Sequence, residues 1–259
     1  MLISALGTTC LSEDQARRAR RDLLLQPLRS RLMPIPGDAP GVCATCHSGC
    51  DETYEACYHC NAARKAVSLP PFVPITMSVE SEQMHFALRH YKDDTREDAR
   101  SRWSNQLAAL LSEFVELHSA CLGEVDSWVP VPSTKRRAPS GIVRRVASLH
   151  GKVAEVLVPK RSLGRGEFDA GAFALTNSAT SGSRVVVFDD TFTTGSAVFS
   201  AAAALQADAT EVAAVVVVGR HVKPSFLPNA ALLEWLRDVP WSPGRCVLCG
   251  PAARPGALF

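Results

Sequence analysis

Two groups of residues in this chain have types and spacings that could do chemistry. The first is Val185 to Phe188, an all-apolar run, followed by Asp189, Asp190, Thr191, Phe192, Thr193, Thr194, Gly195 and Ser196. A buried strand that ends in two carboxylates and a small, hydroxyl-rich turn, and then opens a helix, is a ligand edge of an open α/β sheet. Backbone amides of the turn and of the new helix can cradle a phosphate, and Thr193, Thr194 and Ser196 add hydroxyl donors. Asp189 and Asp190 would repel that phosphate, so they should face something neutral or cationic, such as ribose hydroxyls and a sugar-bound Mg²⁺.

The second group is the cysteines, nine in all and unevenly placed. Cys43, Cys46, Cys50, Cys57 and Cys60 crowd one short stretch, and Cys246 with Cys249 forms a further pair near the end. Two-residue gaps let the thiolates of Cys43, Cys46, Cys57 and Cys60 reach one tetrahedral ion, which reads as structural zinc with no open catalytic position. As scaffold, that module should stand apart from any substrate. Cys246 and Cys249 either complete this site, form a second one or do neither, and Cys50, His47 and His59 are either spare donors or partners for Cys246 and Cys249. Cys249 is followed by Gly250 and Pro251, which argues against a thioredoxin-like role, because that needs a helix start. Cys10 and Cys121 read as packing residues, and His118 as a structural histidine on a helix.

The elements that must position these groups follow from pattern. Ser12 with Gln15 is a capping box for a helix reaching about Arg31, with Leu24, Leu25, Leu28 and Leu32 on its apolar side. Phe72 to Thr76 reads as a strand with an edge proline, Glu80 to Tyr91 and Arg102 to Leu122 as helices, and Trp128 to Val131 as a strand. Ile142 to Leu149 is predicted as a helix and Val153 to Val158 as a strand. Ser196 to Gln206 is an alanine-rich helix, Val212 to Val218 a strand, and Asn229 to Arg237 the last helix. Fully apolar strands alternating with helices predict a parallel twisted sheet flanked by helices, preceded by a small cysteine-rich zinc module. The boundaries expected are 1–70 for the N-terminal helix and zinc module, 71–240 for the α/β domain and 241–259 for a tail carrying the last cysteine pair.

The 259 residues carry a formal net charge of +2, so the molecule is no polycation, and nucleic-acid binding would need a local patch. Arg17 to Arg31, with the zinc module beside it, could make one, but a solvated helix face is the favoured account. No apolar run is long enough to cross a membrane, and the expected compartment is the cytoplasm. A P-loop is absent, and Gly164 with Gly166 has Asp169 where a dinucleotide fingerprint needs glycine.

Four apolar residues, two acids and then Thr193-Thr194-Gly195-Ser196 closely resemble the phosphoribosyl pyrophosphate (PRPP) signature of type I phosphoribosyltransferases. The chain is similar to the ComF-like, competence-associated branch of that family over roughly residues 40 to 220. Members of that branch place a cysteine-rich zinc module before the transferase fold, as Cys43 to Cys60 precede Phe72 here. Val129 to Arg137 is similar to the family's pyrophosphate-loop segment, although the Arg-Gly-Phe-Asn stretch usual after that loop is missing. The resemblance implies that Asp189 and Asp190 hold the ribose hydroxyls and that Thr191, Thr193, Thr194, Gly195 and Ser196 hold the 5′-phosphate. It also implies that Ser133, Thr134 and Lys135 approach the pyrophosphate, and that Lys160, Arg161 and Arg165 belong to a loop closing over it. For that last stretch a solvated basic turn is the equal alternative. Lys92, after Tyr91, resembles a family lysine. The activity implied is transfer of ribose 5-phosphate from Mg²⁺-PRPP to a nucleobase or another small amine or hydroxyl acceptor. The alternative is a non-catalytic PRPP sensor or DNA-uptake accessory protein. Neither the acceptor nor the oligomeric state is legible.

Overall fold

The computed structural model describes residues 12–133, 139–176 and 180–250. Helix α1 (Glu13–Arg29) begins with the expected capping box, Ser12 and Gln15 satisfying each other's backbone amides. Its Leu25 and Leu28 are fully buried. A short helix α2 (Tyr58–Ala66), not foreseen in the sequence, starts directly after Cys57. The α/β domain then runs β1 (Phe72–Val79), α3 (Gln83–Asp93), α4 (Glu97–Leu122), β2 (Ser127–Pro130), α5 (Ser140–Val143), β3 (Leu157–Pro159) and β4 (Phe173–Leu175). It continues with β5 (Arg184–Phe192), α6 (Ser196–Ala207), β6 (Glu211–Val222) and α7 (Ala230–Asp238).

β1, β6, β5 and β2 lie side by side in that order as an all-parallel sheet. Pro74 is tolerated because β1 is an edge strand, where a missing amide costs no ladder bond on the open side. Side chains alternate across the pleat. Val186, Phe188, Val216 and Val218 pack on one face with Leu88, Leu107, Leu111 and Trp128, under α3 and α4. Val185, Val187, Val215 and Val217 pack on the other with Val198, Phe199 and Leu205 of α6, and with Cys43, Cys46 and Cys60. Burial on both faces is why these strands read as unbroken apolar runs.

Two expectations change. The helix predicted from Ile142 to Leu149 is instead the one-turn α5 and a separate 3₁₀ turn at Ala147–Leu149, parted at Arg144 and Arg145. Both arginines face outward, to Glu155 and Asn105. Ile142, Val143, Val146 and Leu149 keep the buried stripe, but from Arg145 on the backbone amides reach back only three residues, so the α-helical ladder ends. The strand predicted from Val153 to Val158 does not extend the sheet. Val153 makes a single bridge to Trp128, and β3 then pairs antiparallel with β4 as a separate hairpin.

Asn229, just before α7, ties the C-terminal part of the chain to the cysteine-rich module. Its side-chain oxygen accepts from the Gly49 amide at 3.0 Å and the Ser48 hydroxyl at 3.3 Å, and its amide donates to the Lys223 carbonyl at 2.9 Å. Asn229 and its bonds to Gly49 and Ser48 are buried, and a Cβ on Gly49 would overlap the Pro228 carbonyl. Asn229→Ala should strand a buried amide, at a cost of about 1–3 kcal/mol. At ~2–4 °C per kcal/mol for a chain of this size, thermal melts should show a loss of several degrees. An unchanged melting temperature would mean that the module is held by other contacts.

Candidate functional site

The ladder of β5 continues through the acid pair, Asp189 opposite Val217 and Thr191 opposite Gly219, so the carboxylates lie inside the strand and not after its end. Strand alternation sends Asp190 to the α3 face. There it is 1% exposed and accepts from the Tyr91 hydroxyl, while the Lys92 amine sits 2.5 Å from the same oxygen. Burial, with the Asp190 charge beside it, pushes the Tyr91 hydroxyl far above its usual range, so it stays protonated and donates. Asp189 accepts from the Asp190 backbone amide at 2.8 Å. Desolvation, then the neighbouring Asp190 charge, holds its carboxyl well above the usual range, and Lys92 offsets part of that.

Beyond Phe192 the chain turns through Thr193 and Thr194 to Gly195, which caps α6 at φ +86°. Any Cβ there would be strained by that φ and would lie 2.6 Å from the Phe199 ring. The Thr194 and Ser196 hydroxyls are 2.9 Å apart. Among the described residues no acceptor faces the backbone amides of Thr194 to Val198, which are the open donors of a helix start.

A cleft of about 500 Å³ opens beside this turn. Thr193 and Thr194 form one side, Arg165, Arg220, His221 and Lys223 supply cationic or titratable groups, and Tyr58, His59 and Phe226 supply rings. Among the described residues no carboxylate lines it. Burial, with His85 nearby, lowers the His221 pKa, so that ring is neutral near pH 7. Cys46 and Cys57 also line the cleft. The cysteine-rich module is therefore part of its wall, not a scaffold set apart from it.

Of the expected loop residues, Arg165 reaches the cleft. Arg161 is instead engaged within its own loop, 2.7 Å from both Glu167 and Asp169. Lys160 is exposed at the end of β3. Ser133 follows β2 at the same sheet edge, whereas Thr134 and Lys135 lie outside the described residues. Sequence reasoning did not find Tyr91 as a partner of Asp190, because only the packing of α3 brings them together across 99 positions. Arg220 was also missed. It is 4% exposed, donates to the Cys46 carbonyl at 2.9 Å, reaches the Cys46 sulfur at 3.4 Å and lies over the Phe192 ring at 5.0 Å.

Cys43, Cys46, Cys57 and Cys60 converge as the spacing predicts, their sulfurs within 4.8 Å of one another. The Cys46 and Cys57 sulfurs are 3.8 Å apart, the separation that ~2.3 Å zinc–sulfur bonds give at a tetrahedral ion. Cys46 is held well below the usual thiol range by hydrogen bonds from Cys43, Cys57 and Cys60 and by the Arg220 charge, as a metal-ligating thiolate requires. Cys50 turns away to the Tyr54 carbonyl. Cys246 and Cys249 do not join this set but meet His118 and Cys121. Cys121 and His118 are thus not the simple packing and structural residues the sequence led us to expect.

A larger cleft, of about 780 Å³, lies at the opposite ends of the strands, beside α1 and α4. Its arginines are committed: Arg17 to Asp14, Arg18 and Arg21 to Glu116. Arg29, further along the helix, forks onto Glu113. The pairs to Glu116 and Glu113 fasten α1 to α4, and the cleft has neither the amide cradle nor the carboxylate pair of the β5 edge. No helix among the described residues is long and apolar enough to cross a membrane. The chain matches no protein-family model and no curated protein.

Because its pKa is raised, Asp189 destabilises the ligand-free fold when ionised. Asp189→Asn should therefore raise the melting temperature at neutral pH, by ~2–4 °C for each kcal/mol relieved. The gain should shrink as pH falls through the raised pKa, where wild-type Asp189 takes up its proton. A variant less stable than wild type at every pH would contradict this electrostatic account.

Proposed function

We propose that the chain is a phosphoribosyltransferase that binds Mg²⁺-PRPP at the β5–α6 turn and passes ribose 5-phosphate to a small acceptor. The observation carrying this reading is the pairing of an uncompensated carboxylate, Asp189, with the open amides of the α6 start one turn away. The two want opposite ligand charges, and PRPP offers both in one molecule. Its 5′-phosphate suits the amides with the Thr193, Thr194 and Ser196 hydroxyls, and its ribose hydroxyls and Mg²⁺ suit Asp189. Asp190, with one oxygen held by Tyr91 and Lys92, fixes the orientation of the pair.

In the transfer, an acceptor lone pair forms the new bond to C1 while the C1–oxygen bond breaks and its electrons leave with the diphosphate. The acceptor loses a proton to solvent or a neighbouring base. Mg²⁺ supplies charge neutralisation on the departing diphosphate. Among the described residues of the cleft, Arg165 and Lys223 could add to this, whereas Arg161 first has to leave Glu167 and Asp169. Tyr58 and Phe226 offer stacking surface, and the carboxylate-free wall with Lys223 favours a planar acceptor carrying negative charge. We also assign structural zinc to Cys43, Cys46, Cys57 and Cys60, where it would rigidify one wall of the cleft.

Calorimetry with Mg²⁺-PRPP should show binding by wild type and at least a roughly tenfold weaker affinity for Asp189→Asn, since a lost charge-assisted hydrogen bond costs about 1.5–3 kcal/mol. Arg165→Ala should lower PRPP-dependent turnover in an acceptor screen more than Arg161→Ala does. Absence of wild-type binding would end the assignment. Tight binding without turnover on any acceptor would point to a PRPP sensor.

A further inference from the structure

We infer that His118, Cys121, Cys246 and Cys249 bind a second zinc ion that staples the C-terminal arm to the end of α4. This site is independent of the reading of the cleft. His118 and Cys121 stand three residues apart on the last turns of α4, so both side chains leave the same face. Cys246 and Cys249 come from a tight turn closed by the Gly250 amide on the Cys246 carbonyl at 3.0 Å, with Gly250 at φ +125°.

The four ligand atoms lie within 4.8 Å of one another. His118 Nδ1 is 3.6 Å from the Cys249 sulfur and 3.8 Å from that of Cys121, and the Cys246 and Cys249 sulfurs are 3.4 Å apart. Zinc bonds of ~2.0–2.1 Å to nitrogen and ~2.3 Å to sulfur place tetrahedral ligands at about these separations.

The histidine tautomer adds a second observation. His118 Nε2 lies 2.7 Å from the Pro243 carbonyl, which can only accept, so the ring proton resides on Nε2. The Nδ1 lone pair then faces the three sulfurs. Fixing a ligand imidazole through its far nitrogen to a backbone carbonyl is the usual outer-shell arrangement of a metal site. Here the carbonyl belongs to the same arm that supplies the two cysteines.

Other accounts fit less. Packing does not explain Cys249, which is exposed, while Cys246 is buried. A disulfide between Cys246 and Cys249 would leave Cys121 and the oriented His118 without purpose. With three thiolates and one imidazole the site is closed, so its role is structural. The arm it would hold also runs against the sheet edge, where Trp241 donates to the Ile75 carbonyl at 3.0 Å.

Metal analysis of the full chain, purified without metal-affinity tags or chelators, tests this directly. Wild type should carry two zinc ions. Cys249→Ser and Cys121→Ser should each carry one, as should Cys57→Ser, and the Cys57/Cys249 double variant none. His118→Cys, which keeps four ligands, should retain two. Should the serine variants fail to fold, wild type and His118→Cys still decide the matter by stoichiometry. One zinc per wild-type chain, or intact-mass detection of a native Cys246–Cys249 disulfide, would overturn the proposal.

Discussion

Two adjacent carboxylates on the carboxyl edge of a buried parallel sheet repel each other, and water can relieve little of that repulsion. The neighbouring elements of the site are arranged around this problem. α3 delivers Tyr91 and Lys92 to Asp190, so one acid is compensated within the chain. Asp189, sent to the opposite face by the pleat, is left with a backbone amide and a raised pKa. A fold that compensates one member of an acid pair and leaves the other wanting a positive or hydroxyl-rich partner stores a binding preference in its ligand-free state.

The cysteine-rich module is welded to the same edge. Arg220, at the end of β6, joins the Cys46 carbonyl and sulfur to the Phe192 ring, and Asn229 holds the Gly49 amide from the other side. His59 packs against Gly166, so the module also touches the loop that carries Arg165. Metal binding at the four thiolates would therefore stiffen a wall of the cleft, and folding energy and site geometry become linked through one buried guanidinium.

What the sequence disclosed had local causes. The Ser12–Gln15 cap, the apolar runs of β5 and β6, the glycine before α6 and the four-cysteine spacing depend on residues within a turn or a strand of each other. What it hid depends on topology. Nothing near His118 or Cys121 points to a cysteine pair more than 120 residues away, and the 3.6-residue stripe of α4 made them read as packing. Tyr91 and Arg220 likewise gain meaning only once β1, β6 and β5 lie side by side. The run from Val153 to Val158 failed as a sheet strand because pattern alone cannot tell a central strand from a hairpin that starts beside it.

Hydrogen exchange with and without Mg²⁺-PRPP bears most directly on the central claim, because it reports where the ligand sits. The open amides at the start of α6 predict strong added protection from Thr193 to Val198, weaker protection around Arg165, and none along α1. Protection centred on Arg17 to Arg21 instead, or no change at the start of α6 at saturating ligand, would contradict a PRPP site at the β5–α6 turn.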